Sequence, residues 1–428
     1  MRAHLWSLLA LTSLGACGSD KTFVDGGLDG TTGDPDATVG PDAAAGAAVT
    51  VTVHDWRTAG QPVVGAAVLA VDAAGAVVGR AATDAAGEAA SVVPAGGSLL
   101  VVDRTGNLTS FLGLVAGDHL FVGTAITVGT ATNGTVVVPA GPAGTVRYQV
   151  SGACTYGASV TPRITVGVSD ACPAGARDVV ATAFSAATRL GYLHGPAAAV
   201  APGATVTLPG PWAAPGSFAV ALGGVPASVS QIQLRHGVMF GAALATFDDD
   251  TLPAAVAGAV AATFPHPAAL GDGTTIGLRV IQTGGLQTID RYQAGQVNRF
   301  DIGSLDGELL PALADVTPTG DGLSWTLGGG AAYDGALVRL EALEKGATRA
   351  TWRFVLPAGA TRVVLPTLPA DLADDWAPID GVAAQVELID SHVTTARDFR
   401  QTIFTTALDA HAGTSPSTVR RSTSETRF

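Results

Sequence analysis

The chain has 428 residues, 14% of them charged and 47% hydrophobic, with a formal net charge of −13. That length exceeds one small core and predicts about two to four domains. The acidic balance speaks against a nucleic-acid or anionic-membrane surface, because both need a basic footprint.

Residues 1–17 read MRAHLWSLLALTSLGAC. Arg2 supplies a positive start, Leu5 to Leu14 form a short apolar run, and the small residues Gly15 and Ala16 precede Cys17. The run is too short for a permanent membrane helix, so it reads as an export signal over 1–16. Leu14-Gly15-Ala16-Cys17 resembles the lipobox of bacterial lipoproteins. The resemblance implies that the Cys17 thiol is diacylglycerylated, that cleavage falls before it, and that two or three acyl chains then anchor the protein stably. It places the chain in the cell envelope, periplasmic or at the surface, with the outer membrane as the expected address. Residues 17–47 are Gly-, Asp-, Thr- and Ala-rich. They bury too little to offset their ordering entropy and are expected to be a disordered spacer. Asp25, Asp29, Asp34, Asp36 and Asp42 lack the spacing of a calcium loop and read as solvated.

With Cys17 lipidated, Cys154 and Cys172 remain. In an exported, strand-rich region they are read as a disulfide worth about 3 kcal/mol, with two buried thiols as the alternative. No Cys/His ligand cluster is present, so neither a metal nor another cofactor is expected.

From residue 48 the chain alternates short apolar runs with Gly, Asp and Pro turns. Strands are expected at Ala48 to Val53, Gly65 to Val71, Ala76 to Ala82 and Ser98 to Val102. Gly60-Gln61-Pro62-Val63-Val64-Gly65-Ala66-Ala67-Val68 followed by Thr83-Asp84-Ala85-Ala86-Gly87 is similar to the carboxypeptidase regulatory-like domain. That resemblance implies an Ig-like β-sandwich over 48–140 without catalytic residues of its own. Ala89 stands where the family usually has a core aromatic.

Residues 141–300 read as a second β region carrying the Cys154–Cys172 pair, with strands at Thr145 to Val150, Arg163 to Val168, Val179 to Phe184, Thr205 to Leu208, Ser217 to Leu222 and Thr275 to Ile281. Ala254 to Thr263 is Ala-rich and is expected to form a short helix. Over 301–409, Leu323 to Leu327, Ala336 to Leu343 and Thr351 to Leu356 read as half-buried strands. Val338, Leu340 and Ala342 face one way in the second, and Trp352, Phe354 and Leu356 oppose Arg353 and Val355 in the third. The Trp on an early strand and the later TRVVLPTLP run are similar to fibronectin type III domains. Residues 410–428, with Arg420, Arg421 and Arg427, are expected to fray as a disordered tail.

Candidate chemistry is sparse. A nucleophile elbow, a zinc-protease helix motif and a phosphate loop are all missing from the sequence. Asp118-His119 is expected at a turn without a nucleophile. Asp248-Asp249-Asp250 and the group Asp371, Asp374, Asp375 are read as solvated turns over calcium or glycosidase sites. Trp212, Trp325, Trp352 and Trp376 are expected as core anchors, the alternative being a sugar-stacking platform.

The reading is an all-β chain of tandem Ig-like and fibronectin-like sandwiches behind a signal peptide and spacer. Its expected role is non-enzymatic: a membrane-tethered scaffold, adhesion or binding module, alternatively a carbohydrate-binding lipoprotein using exposed Trp residues. Expected partners are the membrane, through the lipid, and an envelope protein or polysaccharide, and no nucleic acid.

Overall fold

A computed structural model describes residues 46–55, 61–103, 106–123, 131–152, 155–169, 177–186, 188–198, 200–240, 243–246, 250–267, 271, 273–282, 285–295, 297–376, 381–391, 396–404 and 417–427. The expected export signal, Cys17, the expected spacer up to residue 45, Cys154 and Cys172 lie outside them, and Ala47, expected as the end of that spacer, opens the first strand. The described chain is all-β, built from β-sandwiches, with two short helices.

The first module comprises β1 (Ala47–Val53), β2 (Ala67–Val71), β3 (Val77–Ala82), β4 (Glu88–Val93), β5 (Ser98–Val102), β6 (Leu108–Leu112) and β7 (His119–Val122). The second runs through β8 (Ala131–Val137), β9 (Arg147–Gly152), β10 (Thr155–Ser159), β11 (Arg163–Ser169), β12 (Arg177–Ser185), β13 (Thr188–Ala198) and β14 (Thr205–Thr207). The third holds β15 (Gly216–Leu222), β16 (Val229–Phe240), β17 (Ala243–Thr246), β18 (Asp250–Thr251), β19 (Val260–His266), β20 (Gly273–Gln282), β21 (Gly285–Ala294) and β22 (Arg299–Ile302). The fourth holds β23 (Leu313–Thr319), β24 (Gly322–Leu327), β25 (Gly335–Glu344), β26 (Ala347–Pro357), β27 (Arg362–Val364), α1 (Ala370–Trp376), β28 (Gly381–Asp390), α2 (Ala396–Thr402) and β29 (Ser417–Arg427).

In β1, Val49, Val51 and Val53 point inward while Ala48, Thr50 and Thr52 point out, the period of two of a half-buried strand. The turns after β2 and β3 repeat one device. Asp72 Oδ1 accepts the N–H groups of Ala74 and Ala76, and Asp84 Oδ1 those of Ala86 and Glu88, at 2.8–3.0 Å. A short side chain thereby substitutes for a backbone acceptor and fixes each hairpin. Gly87 is needed there: its φ is 78° and a β-carbon would press on the Val53 carbonyl. Thr83 Oγ1 accepts from Ala66 N–H and donates to the Val63 carbonyl, so the Thr-Asp-x-x-Gly segment ties down both ends of the strand entry.

The sheets cross the boundaries expected from sequence. Among the described residues, thirteen strands form one sheet in the order β17-β16-β20-β21-β29-β28-β25-β26-β6-β5-β2-β3, with β18 beside β16. It is shared by the third, fourth and first modules. Each of these completes a sandwich with its own three-stranded sheet: β19-β15-β22, β23-β24-β27 and β4-β1-β7 respectively. The second module keeps a separate sheet, β13-β12-β9-β10-β11-β8-β14. It rolls so that Leu208, just past one edge strand, lies against Gly195 of the other. Region 141–300 is thus divided between two modules, and β8 joins the second module from before residue 140.

Two further expectations are corrected. Ala254 to Thr263 is no helix: Val256 and Ala259 pair across a turn at Ala257 and Gly258, both with positive φ, and β19 follows. The left-handed pair suits a two-residue hairpin, and pairing with β15 overrides the helix preference of Ala. The tail expected over 410–428 contains β29, a strand held between β21 and β28.

The cores explain the seam between the first and fourth modules. Leu99, Leu100, Val101 and Val102 of β5 are all buried because both faces of the sheet are covered there. Leu99 and Val101 face β4-β1-β7, whereas Leu100 and Val102 join Trp325, Trp352, Phe354 and Leu356. Val355, expected on the polar face of β26, is buried for the same reason.

Candidate functional site

The most concentrated set of buried ionisable groups lies where the second module meets the third. Along β16, alternation places Ile232, Leu234, His236 and Val238 inward, so His236 occupies a core position. His266 closes β19 and faces it, with the two Nδ1 atoms 3.1 Å apart. One imidazole therefore donates and the other accepts, and the pair is satisfied when both rings are neutral. The Phe218 ring stacks parallel to His236, with centroids 5.7 Å apart. On the opposite side of His236, Nε2 lies 3.4 Å from Asp250 Oδ2, and that same oxygen accepts a 2.7 Å bond from Arg189 of β13. Tyr192, three residues further along β13 past a register shift, donates its hydroxyl to the Pro265 carbonyl at 3.0 Å.

The charges follow from this packing. Burial, with the nearby His236 and Arg189 charges adding to it, pushes His266 down to about 3. Burial drives the Tyr192 hydroxyl well above its ordinary range. For Asp250 burial acts upward, but His236 and the Arg189 guanidinium outweigh it and hold the carboxyl below its usual value. His236, His266, Arg189 and Tyr192 are each at most 5% exposed. The cluster is a buried joint between the two modules, and no group of three metal-ligating side chains forms among the described residues.

The residues singled out from sequence land in other places. Asp118 does sit at a turn, with Gly117 at φ 80°, yet its carboxylate is fully buried. It accepts from Arg400 Nε and Nη2 at 3.2 and 2.9 Å and from Val115 N–H, and Arg397 Nε lies 3.1 Å away. His119 points away from it toward Thr52 Oγ1 at 2.9 Å, so the two form no catalytic pair. Asp250 is half-buried and ion-paired where a solvated turn is expected, while Asp248 and Asp249 lie outside the described residues. Asp371, Asp374 and Asp375 fall on α1 and form no loop; Asp371 pairs with Arg80 at 2.8 Å, and that hydrogen bond holds its carboxyl below the ordinary value.

No sugar platform exists among the four tryptophans. Trp325 and Trp352 are 3% and 1% exposed, and Trp352 Nε1 donates to Ser110 Oγ at 2.9 Å. Trp376 meets Trp352 edge-on at 5.3 Å. Trp212 is half-buried against Tyr148, its Nε1 donating to the Ala140 carbonyl at 3.0 Å. Open depressions mark the surface of the described residues, and two of them stand out. The larger, about 700 Å³, is apolar and lined by Leu222, Val256, Val260 and Ile302, with Asp301 its one ionisable residue. Asp301 is engaged by Arg299.

Sequence reasoning missed Arg189, His236, His266, Arg397 and Arg400. A lone inward His within the alternation of β16 is the one local signal that could have pointed to the cluster. The partners come from elements far apart in the chain, Arg397 and Arg400 from α2, and only topology joins them.

No protein-family model matches the chain, and no curated protein matches it. Among solved structures, it is similar to the crystal structure of the chicken CNTN1 FN1-FN3 domains at 10% identity, covering 57% of this chain and 84% of that one with a TM-score of 0.13. A likeness that low carries no argument, and the sandwich architecture rests on the pairing of this chain's own strands.

Proposed function

We propose that the protein is a lipid-anchored envelope scaffold, exported and tethered through Cys17, whose fused sandwiches offer a stiff binding surface and perform no chemistry. The observation that carries the scaffold part is the single sheet running through three sandwiches. Shared backbone ladders and a shared apolar seam resist the hinge motions that separate beads on linkers allow. The buried pairs Arg189–Asp250 and Arg400–Asp118 each join two modules, and the larger depression holds one paired carboxylate. Support for the anchor is the Leu14-Gly15-Ala16-Cys17 run behind an apolar stretch, with a Gly- and Asp-rich spacer to clear the membrane.

The partner class is an envelope protein or polysaccharide. Burial of Trp325 and Trp352 leaves these two unsuited to stacking on a sugar and favours the scaffold reading over the sugar-stacking one. The test is metabolic labelling with an alkynyl fatty acid, combined with intact mass of the membrane-fraction protein. A mature chain that starts at Cys17 and carries diacylglycerol is expected, and Cys17→Ala should abolish both label and membrane retention. An unmodified N-terminus would end the anchor reading. The scaffold reading is tested separately by capture of envelope polysaccharides and proteins on immobilised residues 46–428, where turnover of a captured glycan or peptide would overturn it.

A further inference from the structure

β29 stands apart from every other central strand of the large sheet. Its sequence, STVRRSTSETR, has a single apolar side chain, Val419. The strand is nonetheless hydrogen-bonded on both sides: residues 417–423 pair with Leu286 to Tyr292 of β21, and residues 420–427 pair with Ala383 to Asp390 of β28. Among the described residues, no strand of β15–β22 pairs directly with one of β23–β28. The third and fourth modules therefore present two facing edges, and β29 fills the slot between them.

What holds the strand in the slot is mostly backbone and charge. Arg420 reaches Asp390 at 2.7 Å and Glu308 at 3.6 Å, and Arg421 lies 3.8 Å from Glu387. Ser422 donates to the Pro311 carbonyl at 3.2 Å. Little apolar surface is locked away, so release costs far less of the hydrophobic effect than extracting β5 or β25 would. Twelve residues, 405–416, tie β29 to Phe404. A stretch of that length can span up to about 40 Å at full extension.

We propose that the slot between β21 and β28 is a strand-acceptor site and that its second occupant is β29 of another copy of this chain, so that two copies associate by trading the strand. Each slot then makes the same ladder and the same ion pairs it makes within one chain, and no new surface has to be built. Copies tethered to one membrane would meet at high effective concentration, which favours the exchange.

The test uses the full body with a specific protease site placed within 405–416. After cleavage β29 should stay bound through gel filtration. A fluorescent STVRRSTSETR peptide should then enter the slot and displace it, and the same peptide with Val419→Asp should bind at least tenfold more weakly. Uncleaved protein carrying two different tags should co-purify after incubation at high concentration, and Thr423→Pro, which removes a ladder N–H, should abolish this. Failure of a folded, cleaved protein to exchange the strand would overturn the proposal. So would unfolding of the third or fourth module on strand release, or an absence of mixed-tag dimers. None of these outcomes bears on lipidation of Cys17.

Discussion

The first and fourth modules are fused, whereas the second is docked onto the third, and the two junctions use opposite chemistry. At the fused seam β6 and β26 pair in parallel, and Phe111, Val355, Ile389, Phe399 and Ile403 pack in one apolar cluster drawn from both modules. At the docked joint the ties are Arg189 to Asp250, Tyr192 to Pro265 and the buried imidazole pair behind them. A shared apolar core makes two modules one cooperative unit. A polar joint fixes their orientation while leaving each its own core.

The largest effects should come from the fused seam. Phe399 is fully buried and its ring lies so close to Gly335 that a β-carbon there would overlap it. Phe399→Ala should cost about 3–5 kcal/mol, lost from the first and fourth modules together. Urea unfolding followed by Trp352 fluorescence and by hydrogen exchange in β1 and β2 checks this. Two separate transitions, with only one shifted, would show that the seam does not couple the modules. Asp118→Ala strands Arg400, whose side chain is 4% exposed, as an unpaired buried cation. A loss of about 3–5 kcal/mol is expected. The double variant Asp118→Ala with Arg400→Met should recover a good part of it, which a mere packing defect would not allow.

This contrast also sets what was legible in the sequence. The period of two in Ala336 to Leu343 placed Val338, Leu340 and Ala342 inside, and all three are buried. Asp72 and Asp84 marked their hairpins because the signal and its consequence lie within five residues. β29 left no such trace. Its ladder partners satisfy the backbone without an apolar face, so STVRRSTSETR reads as a solvated tail although Thr418, Val419, Thr423 and Thr426 are β-branched residues that suit a strand. Asp118 illustrates the same limit for the sites: its arginines arrive from about 280 positions away, through a topology that local patterns do not encode.

Acid should act on the docked joint. His266 sits at about 3 in the fold against an ordinary 6.5, so below pH 6.5 the unfolded chain binds a proton that the folded chain refuses. The contribution of the neutral, buried His266 is therefore fully present above pH 6.5 and declines as pH falls toward 3. Between pH 6.5 and 4.5 the loss should be on the order of 2–3 kcal/mol from this group. His266→Gln should flatten that slope. Hydrogen exchange should rise at β13, β18 and β19 before it does at β6 and β26. If β6 and β26 open first, the acid-sensitive group lies in the seam and the contrast between the junctions fails.

The smallest effect is expected at Arg80 and Asp371, which link β3 to α1 across the rim of the fused seam at 2.8 Å. Both side chains are about half exposed, so water and salt screen the pair and ordering two side chains offsets most of its gain. Arg80→Ala should leave the urea midpoint where it is. The carboxyl itself should still report the loss. Asp371 is held below its ordinary value first by the Arg80 hydrogen bond. Without Arg80, an NMR titration should show the Asp371 carboxyl rising toward the ordinary carboxylate range. A clear drop in stability would mean that the seam depends on its charged rim as well as on Phe399 and its neighbours, and would bring the fused junction closer in kind to the docked one.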